Sequence, residues 1–186
     1  VPVVTRPWRR SMVEEAALRD EVAKLNTLGV VKKQFSRYCS PMLLVKKPSG
    51  GWRLCLDCRK INEKSVRQPH VAIPTVEASL AALSGSCIFS SLDANAGYHQ
   101  IPLAEASQEF TGFVVDGESY VYTRTSMGLR DSAATYTRMM AAILNHIPHA
   151  HAYIDDVIIH SATWREHMRD LEAVFAVMQD SGMTCS

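Results

Sequence analysis

At 186 residues the chain is long enough for one ordinary domain with a buried core, or for a piece of a larger protein. Apolar residues are 47% and charged residues 21%, which excludes a disordered or collagen-like chain. No apolar run reaches the roughly 18 residues of a membrane span, and the opening VPVVTRPWRR is not patterned as a signal peptide.

The net charge of +1 hides a segregation. Residues 1–64 carry 14 Lys and Arg against 6 Asp and Glu, whereas residues 65–186 carry 6 against 13. A polyanion partner on one side and a cation site on the other fit this split, and so does chance segregation of solvated charge. The five cysteines are odd in number and scattered. Without a secretory signal, reduced thiols in an intracellular compartment are expected.

Ser11–Leu28 has helical periodicity, with Met12, Ala16, Leu18, Val22 and Leu25 toward one face. Ser11 and Glu14 have the spacing of a capping box, and Gly29 suits the stop. Met42–Lys47 and Trp52–Asp57 read as a hairpin around Pro48-Ser49-Gly50-Gly51, which gathers Lys46, Lys47 and Arg53. A second helix is expected over Ile73–Leu83, with Pro74 in its first turn and Gly85 at its end. Cys87–Leu92 is an apolar strand running into Asp93.

Phe110–Val115 and Ser119–Arg124 flank Asp116-Gly117, a strong hairpin signal. A third helix covers Ser132–Ile147 and stops near Pro148. Ala152–Ile154 and Val157–His160 are short apolar runs separated by Asp155-Asp156. The last helix, Thr163–Ser181, is expected to bury Leu171, Val174, Phe175 and Met178. Mixed helices and antiparallel hairpins without a dividing linker make the fold class α+β.

The informative chemistry is acidic. Asp155 and Asp156 sit together between apolar runs, where their charges must be neutralised by a solvent-facing turn or by a divalent cation. Asp93 ends another apolar strand. If those strands are neighbours, the carboxylates converge, and hard oxygen donors without His or Cys partners favour Mg²⁺ or Mn²⁺. Cys55-x-x-Cys58 lacks a second ligand pair and is weighed against zinc. His146, His149 and His151 read as a solvated loop, and Cys39 and Cys87 as packed small hydrophobes.

Five ordered blocks carry a resemblance. They are Ser40-Pro41 with Leu43 to Lys47; Trp52 to Asp57 with Arg59 to Asn62; Phe89 to Asp93 with Gly97 to Pro102; Met127-Gly128-Leu129 with Ala134-Thr135-Tyr136; and Tyr153 to Asp156. The tail adds Glu166-His167-Met168, Leu171, Val174-Phe175 and Gly182-Met183-Thr184. Over about Arg9 to Thr184, the chain resembles the reverse transcriptase domain of long-terminal-repeat retroelements, most similar to the Ty3/gypsy group.

The resemblance implies the fingers and palm of a right-hand polymerase, with an antiparallel palm sheet packed on helices. Fingers fall on about 1–68 and 101–130, palm on 69–100 and 131–186, and the thumb is expected to be absent from this span. Asp93, Asp155 and Asp156 match the catalytic carboxylates that hold two Mg²⁺, with Mn²⁺ as a substitute. Lys46 and Arg53 match triphosphate-holding residues, and Tyr98 matches the aromatic that excludes a ribose 2′-OH. Met127 and Gly128 match the segment beside template and nascent pair, where Met127 replaces a common aromatic and Ala133 a common proline.

The implied partners are an RNA or DNA template-primer, dNTPs, and the remainder of a polyprotein with thumb, RNase H, integrase and protease. No membrane is expected. The implied location is the cytoplasm, in virus-like particles. RNA-directed DNA polymerisation is the expected activity, and a catalytically inactive nucleic-acid-binding or structural remnant is the alternative. Without a thumb clamp, the span alone is expected to bind primer–template weakly.

Overall fold

The computed structural model describes residues 2–48, 50–66, 81, 83–153 and 156–185. The chain divides into two compact units, one of 1–67 with 98–132 and the other of 68–97 with 133–186.

The first unit opens with helix α1, Met12–Thr27. Ser11 accepts from the Glu14 amide, and the Glu14 carboxylate accepts from the Ser11 backbone, closing the expected capping box. The buried stripe is narrower than the periodicity indicates: Leu18 and Val22 are buried, but Met12 and Ala16 are exposed. The reason is placement. α1 lies against the short strand β1, Val31–Lys33, and against β3, Trp52–Leu56, and its first turn contributes nothing to the core formed there.

That core joins Leu18 and Val22 to Val31, Met42, Leu56, Cys58, Phe113, Val115 and Tyr122. β2, Met42–Lys46, pairs with β3 as the expected antiparallel hairpin. Helix α2, Arg59–Lys64, follows β3. Two single-turn helices, α3 (Gly97–Gln100) and α4 (Glu105–Gln108), precede a 3₁₀ turn over Glu109–Thr111.

β5, Phe113–Val115, and β6, Glu118–Tyr122, meet through Asp116-Gly117, both at positive φ as a two-residue hairpin requires. The strand expected from Phe110 begins only at Phe113. Thr111 donates to the Gln108 carbonyl and accepts from the Tyr122 amide, tightening the preceding segment into a turn. β1 joins this pair to give a sheet of order β1-β6-β5.

In the second unit β4, Ile88–Asp93, is the first strand, and the helix expected over Ile73–Leu83 lies almost wholly outside the described residues. Helix α5 spans Ser132–Leu144, one turn shorter than expected. β7, Ala150–Tyr153, and β8, Asp156–Ser161, complete an antiparallel sheet of order β4-β8-β7. Helix α6, Trp164–Asp180, is capped by a Thr163–Glu166 box and lies against β8 and β4.

The α6 face differs from the expected stripe. His167, Asp170, Val174 and Met178 are buried, Leu171 is half-buried, and Phe175 is exposed. Hydrogen bonds to the sheet hold the two polar residues inside, and they rotate the face away from Phe175. Among the described residues, no helix is long and apolar enough to cross a membrane.

Candidate active site

Alternation along β4 sets the first side chain. Ile88, Ser90 and Leu92 are half-buried, while Phe89, Ser91 and Asp93 face outward. On β8, Val157 and Ile159 are buried and Asp156 is exposed. The antiparallel register then pairs Ile88 with Ser161, Ser90 with Ile159, Leu92 with Val157 and Asp93 with Asp156. Directly opposed residues share a face, with Cβ atoms about 4.5–5.5 Å apart. Two residues 63 positions apart in the chain thus present carboxylates side by side.

The chain after Asp93 is anchored on the spot. Ala94 bridges to Cys185, and the Asn95 amide donates to the Thr184 carbonyl at 3.0 Å. Gly97 then passes the Tyr136 ring so closely that a Cβ would lie 2.8 Å from Cε2. Only glycine fits that approach.

Opposed like charges in a sheet are destabilising. Two exposed carboxylates on one face are hard oxygen donors, which fit a divalent cation of the Mg²⁺ type. Asp155 lies outside the described residues, and among the described residues no group of three acidic, His or Cys side chains is placed to hold a metal.

The basic hairpin sorts its cations by face. Lys46 pairs with Trp52 and Val45 with Arg53, so Lys46 and Arg53 lie on opposite faces of the ribbon. Lys46 Nζ stands 5.5 Å from the Trp52 ring centroid. The Lys47 amide donates to Gly51 at 3.1 Å, which extends the ladder one rung and puts Lys47 on the Arg53 face. Counting alternation from the turn was the signal for this in the sequence.

Tyr98 is half-buried on α3. Met127 is half-buried beside Gly128, whose φ of +101° lies in the region that favours glycine. A Cβ there would meet the Leu56 carbonyl oxygen at 2.8 Å. Asn62 clamps this turn: its Nδ2 donates to the Gly128 carbonyl at 2.7 Å, and its Oδ1 accepts from the Arg130 amide at 2.9 Å. No local pattern assigns Asn62 this role, because its partners are distant in the chain.

Burial pushes the Cys58 thiol up to about 12, with the Asp57 charge adding to it. Other sequence expectations change. Cys87 is exposed, not packed. His149 and His151 are not a solvated loop: His149 pairs with Asp170 at 2.9 Å, and the His151 ring stacks on His160 with centroids 5.2 Å apart.

A family model described as reverse transcriptase (RNA-dependent DNA polymerase) matches residues 45–186. The chain is 33% identical over 195 residues to the retrovirus-related Pol polyprotein from transposon gypsy of Drosophila melanogaster, covering 100% of this chain and 19% of that protein. It also matches a foamy viral protease-reverse transcriptase solved in complex with double-stranded DNA, with a TM-score of 0.88 and 28% identity. That match covers 100% of this chain and 33% of the other. The foamy viral protease-reverse transcriptase in complex with RNA/DNA hybrid matches with a TM-score of 0.83 and 28% identity, over 100% of this chain and 25% of the other. The chain thus spans about a fifth of the curated relative and a quarter to a third of the solved chains. With a family match over most of its length, an α+β fold of antiparallel sheets and two carboxylates opposed on one strand pair, the chain belongs to the reverse transcriptase family.

Proposed function

We propose that this chain is the fingers and palm of an RNA-directed DNA polymerase, which adds dNTPs to a primer 3′-OH on an RNA or DNA template. The Asp93–Asp156 rung carries the reading. The division into two units supports fingers over about 1–68 and 101–130 and palm over 69–100 and 131–186.

Asp93, Asp155 and Asp156 hold the divalent cations, two Mg²⁺ or Mn²⁺. When bound, such a pair lowers the pKa of the attacking hydroxyl and neutralises the leaving pyrophosphate. The protein's share is to hold Asp93 and Asp156 side by side on a paired strand ladder. Arg53, with Lys47 on its face of the hairpin, grips the triphosphate, where guanidinium geometry suits two phosphate oxygens, and Lys46, on the opposite face, adds its charge from the side of the ribbon. Tyr98 lies beneath the sugar and rejects a 2′-OH. Met127 and Gly128 line the nascent pair and template, the flat backbone at Gly128 allowing close approach.

The complexes of the foamy viral enzymes with duplex DNA and with RNA/DNA hybrid support a template-primer as partner. The remaining partners are the thumb, RNase H, integrase and protease of a polyprotein, and the place of action is a cytoplasmic virus-like particle. Primer extension by the full polyprotein tests the reading. Asp155→Asn with Asp156→Asn, and Asp93→Asn separately, are expected to abolish extension while leaving the fold intact. Extension at the unsubstituted rate would refute it.

A further inference from the structure

The sheet that carries Asp93 and Asp156 is held from behind by a buried polar network. Asp170, only 3% exposed, accepts from His149 Nδ1 at 2.9 Å and from Ser161 Oγ at 3.0 Å. Its other oxygen receives Arg169 at 3.4 Å. His167, 1% exposed, contacts Ser161 Oγ through Nδ1 at 3.3 Å and Ser90 Oγ through Nε2 at 2.9 Å. The donor directions follow from the chemistry. Ser161 spends its proton on the carboxylate, so it accepts from His167 Nδ1–H, and Nε2 is left to accept from Ser90. One helix therefore touches β4 through Ser90, β8 through Ser161, and the residue preceding β7 through His149.

Burial alone raises the Asp170 carboxyl, but hydrogen bonds from His149 and Ser161, with the charges of His149 and Arg169, bring it below the usual range. A buried ionic group is poor evidence for stability, because well-packed apolar residues often do as well, and its best-attested use is to specify register. Register is what the apolar pattern here leaves open. Val157, Ile158 and Ile159 are consecutive, as are Ile88 and Phe89, so a slipped β8 still buries aliphatic side chains. A one-residue slip would nonetheless carry Asp156 to the wrong face, and a two-residue slip would take it off the Asp93 rung.

We infer that His167 and Asp170 are positioning residues whose hydrogen bonds to Ser90, Ser161 and His149 lock the register of β4-β8-β7 and hold Asp93 opposite Asp156. The inference rests on the polymerase reading for its role in catalysis, but the lock itself is measurable without activity.

The test uses paired cysteines in a Cys87→Ser background and dibromobimane, from which each thiolate displaces one bromide. Ser91→Cys with Ile158→Cys probes the native rung, and the exposed Phe89→Cys with Ile158→Cys probes a two-residue slip. In the otherwise unsubstituted protein the native pair is expected to bridge about fivefold faster or more, the ratio one net hydrogen bond sets. In Asp170→Leu/His167→Leu/Ser161→Ala, the ratio is expected to fall toward one while a cooperative melt is retained. An unchanged ratio in the folded variant overturns the lock. Should that variant not fold, Asp170→Asn serves, with a reduced ratio expected and an unchanged one overturning. In the unsubstituted protein, ¹⁵N NMR of His167 is expected to show the Nδ1–H tautomer; an Nε2–H tautomer also overturns it. A polyprotein that fails to extend primers while the native ratio holds refutes the polymerase reading and leaves the lock standing.

Discussion

Replacing Asp156 by Asn should stabilise the chain in chelator and remove its response to Mg²⁺. Asp93 and Asp156 are directly opposed on an antiparallel ladder and both are exposed. Two carboxylates about 6 Å apart repel by roughly 0.7 kcal/mol at the dielectric of water and roughly 3 kcal/mol at an effective value of about 20. Their exposure favours the lower figure, which is of the same size as the ~0.2–1 kcal/mol of favourable cross-strand pairs and of opposite sign. Asp156→Asn in EDTA is thus expected to gain about 0.5–1 kcal/mol, roughly 1–4 °C in melting temperature for a chain of this size.

The gain should shrink as the Debye length falls from about 30 Å at 0.01 M salt to about 3 Å at 1 M. With Mg²⁺ at about ten times its Kd, the unsubstituted chain should gain about 1.4 kcal/mol by mass action. The variant should gain little. Differential scanning fluorimetry across a Mg²⁺ titration, at two salt concentrations, reads all of this. No gain in EDTA together with an undiminished Mg²⁺ response would refute the claim that this rung is the charge-repelled cation site.

Three further outcomes follow from the structure. Gly128→Ala should cost about 2 kcal/mol or more in urea unfolding, from the positive φ and from the Leu56 carbonyl that the new Cβ would meet. Acidification should weaken the second unit in two stages. The folded pKa of His160 is lowered by burial and by the neighbouring His151 and His149 charges, so the unfolded chain takes up its proton first. That contribution is present above about pH 6.5 and lost below it. The lowered carboxyl of Asp170 adds a loss only below about pH 4, and urea midpoints from pH 7.5 to 3.5 should lose the first stage in His160→Gln. Ser11→Ala and Thr163→Ala, which open the two capping boxes, should each cost about 1 kcal/mol, with faster amide exchange confined to the first turns of α1 and α6 respectively.

Local chemistry was legible from the chain alone. Ser11 and Glu14 announce the start of α1, Asp116-Gly117 is the hairpin it reads as, and Asp93 and Asp156 stand out as acids abutting apolar runs. Such signals depend on residues within a few positions of one another. What depends on distant partners was decided only by the tertiary structure. Three-residue β1 carries no period of its own and exists because β6 pairs with it. α6 buries His167 and Asp170 in place of Phe175, because the sheet supplies their hydrogen-bond partners and no hydropathy pattern encodes a satisfied polar group. Asn62 becomes a clamp only when Gly128 and Arg130 come to it. Above all, the sequence presents acidic residues as separate points, and the ladder register makes Asp93 and Asp156 a pair, since the side-chain period of two puts both on one face only in alternate registers and the observed one sets them directly opposite.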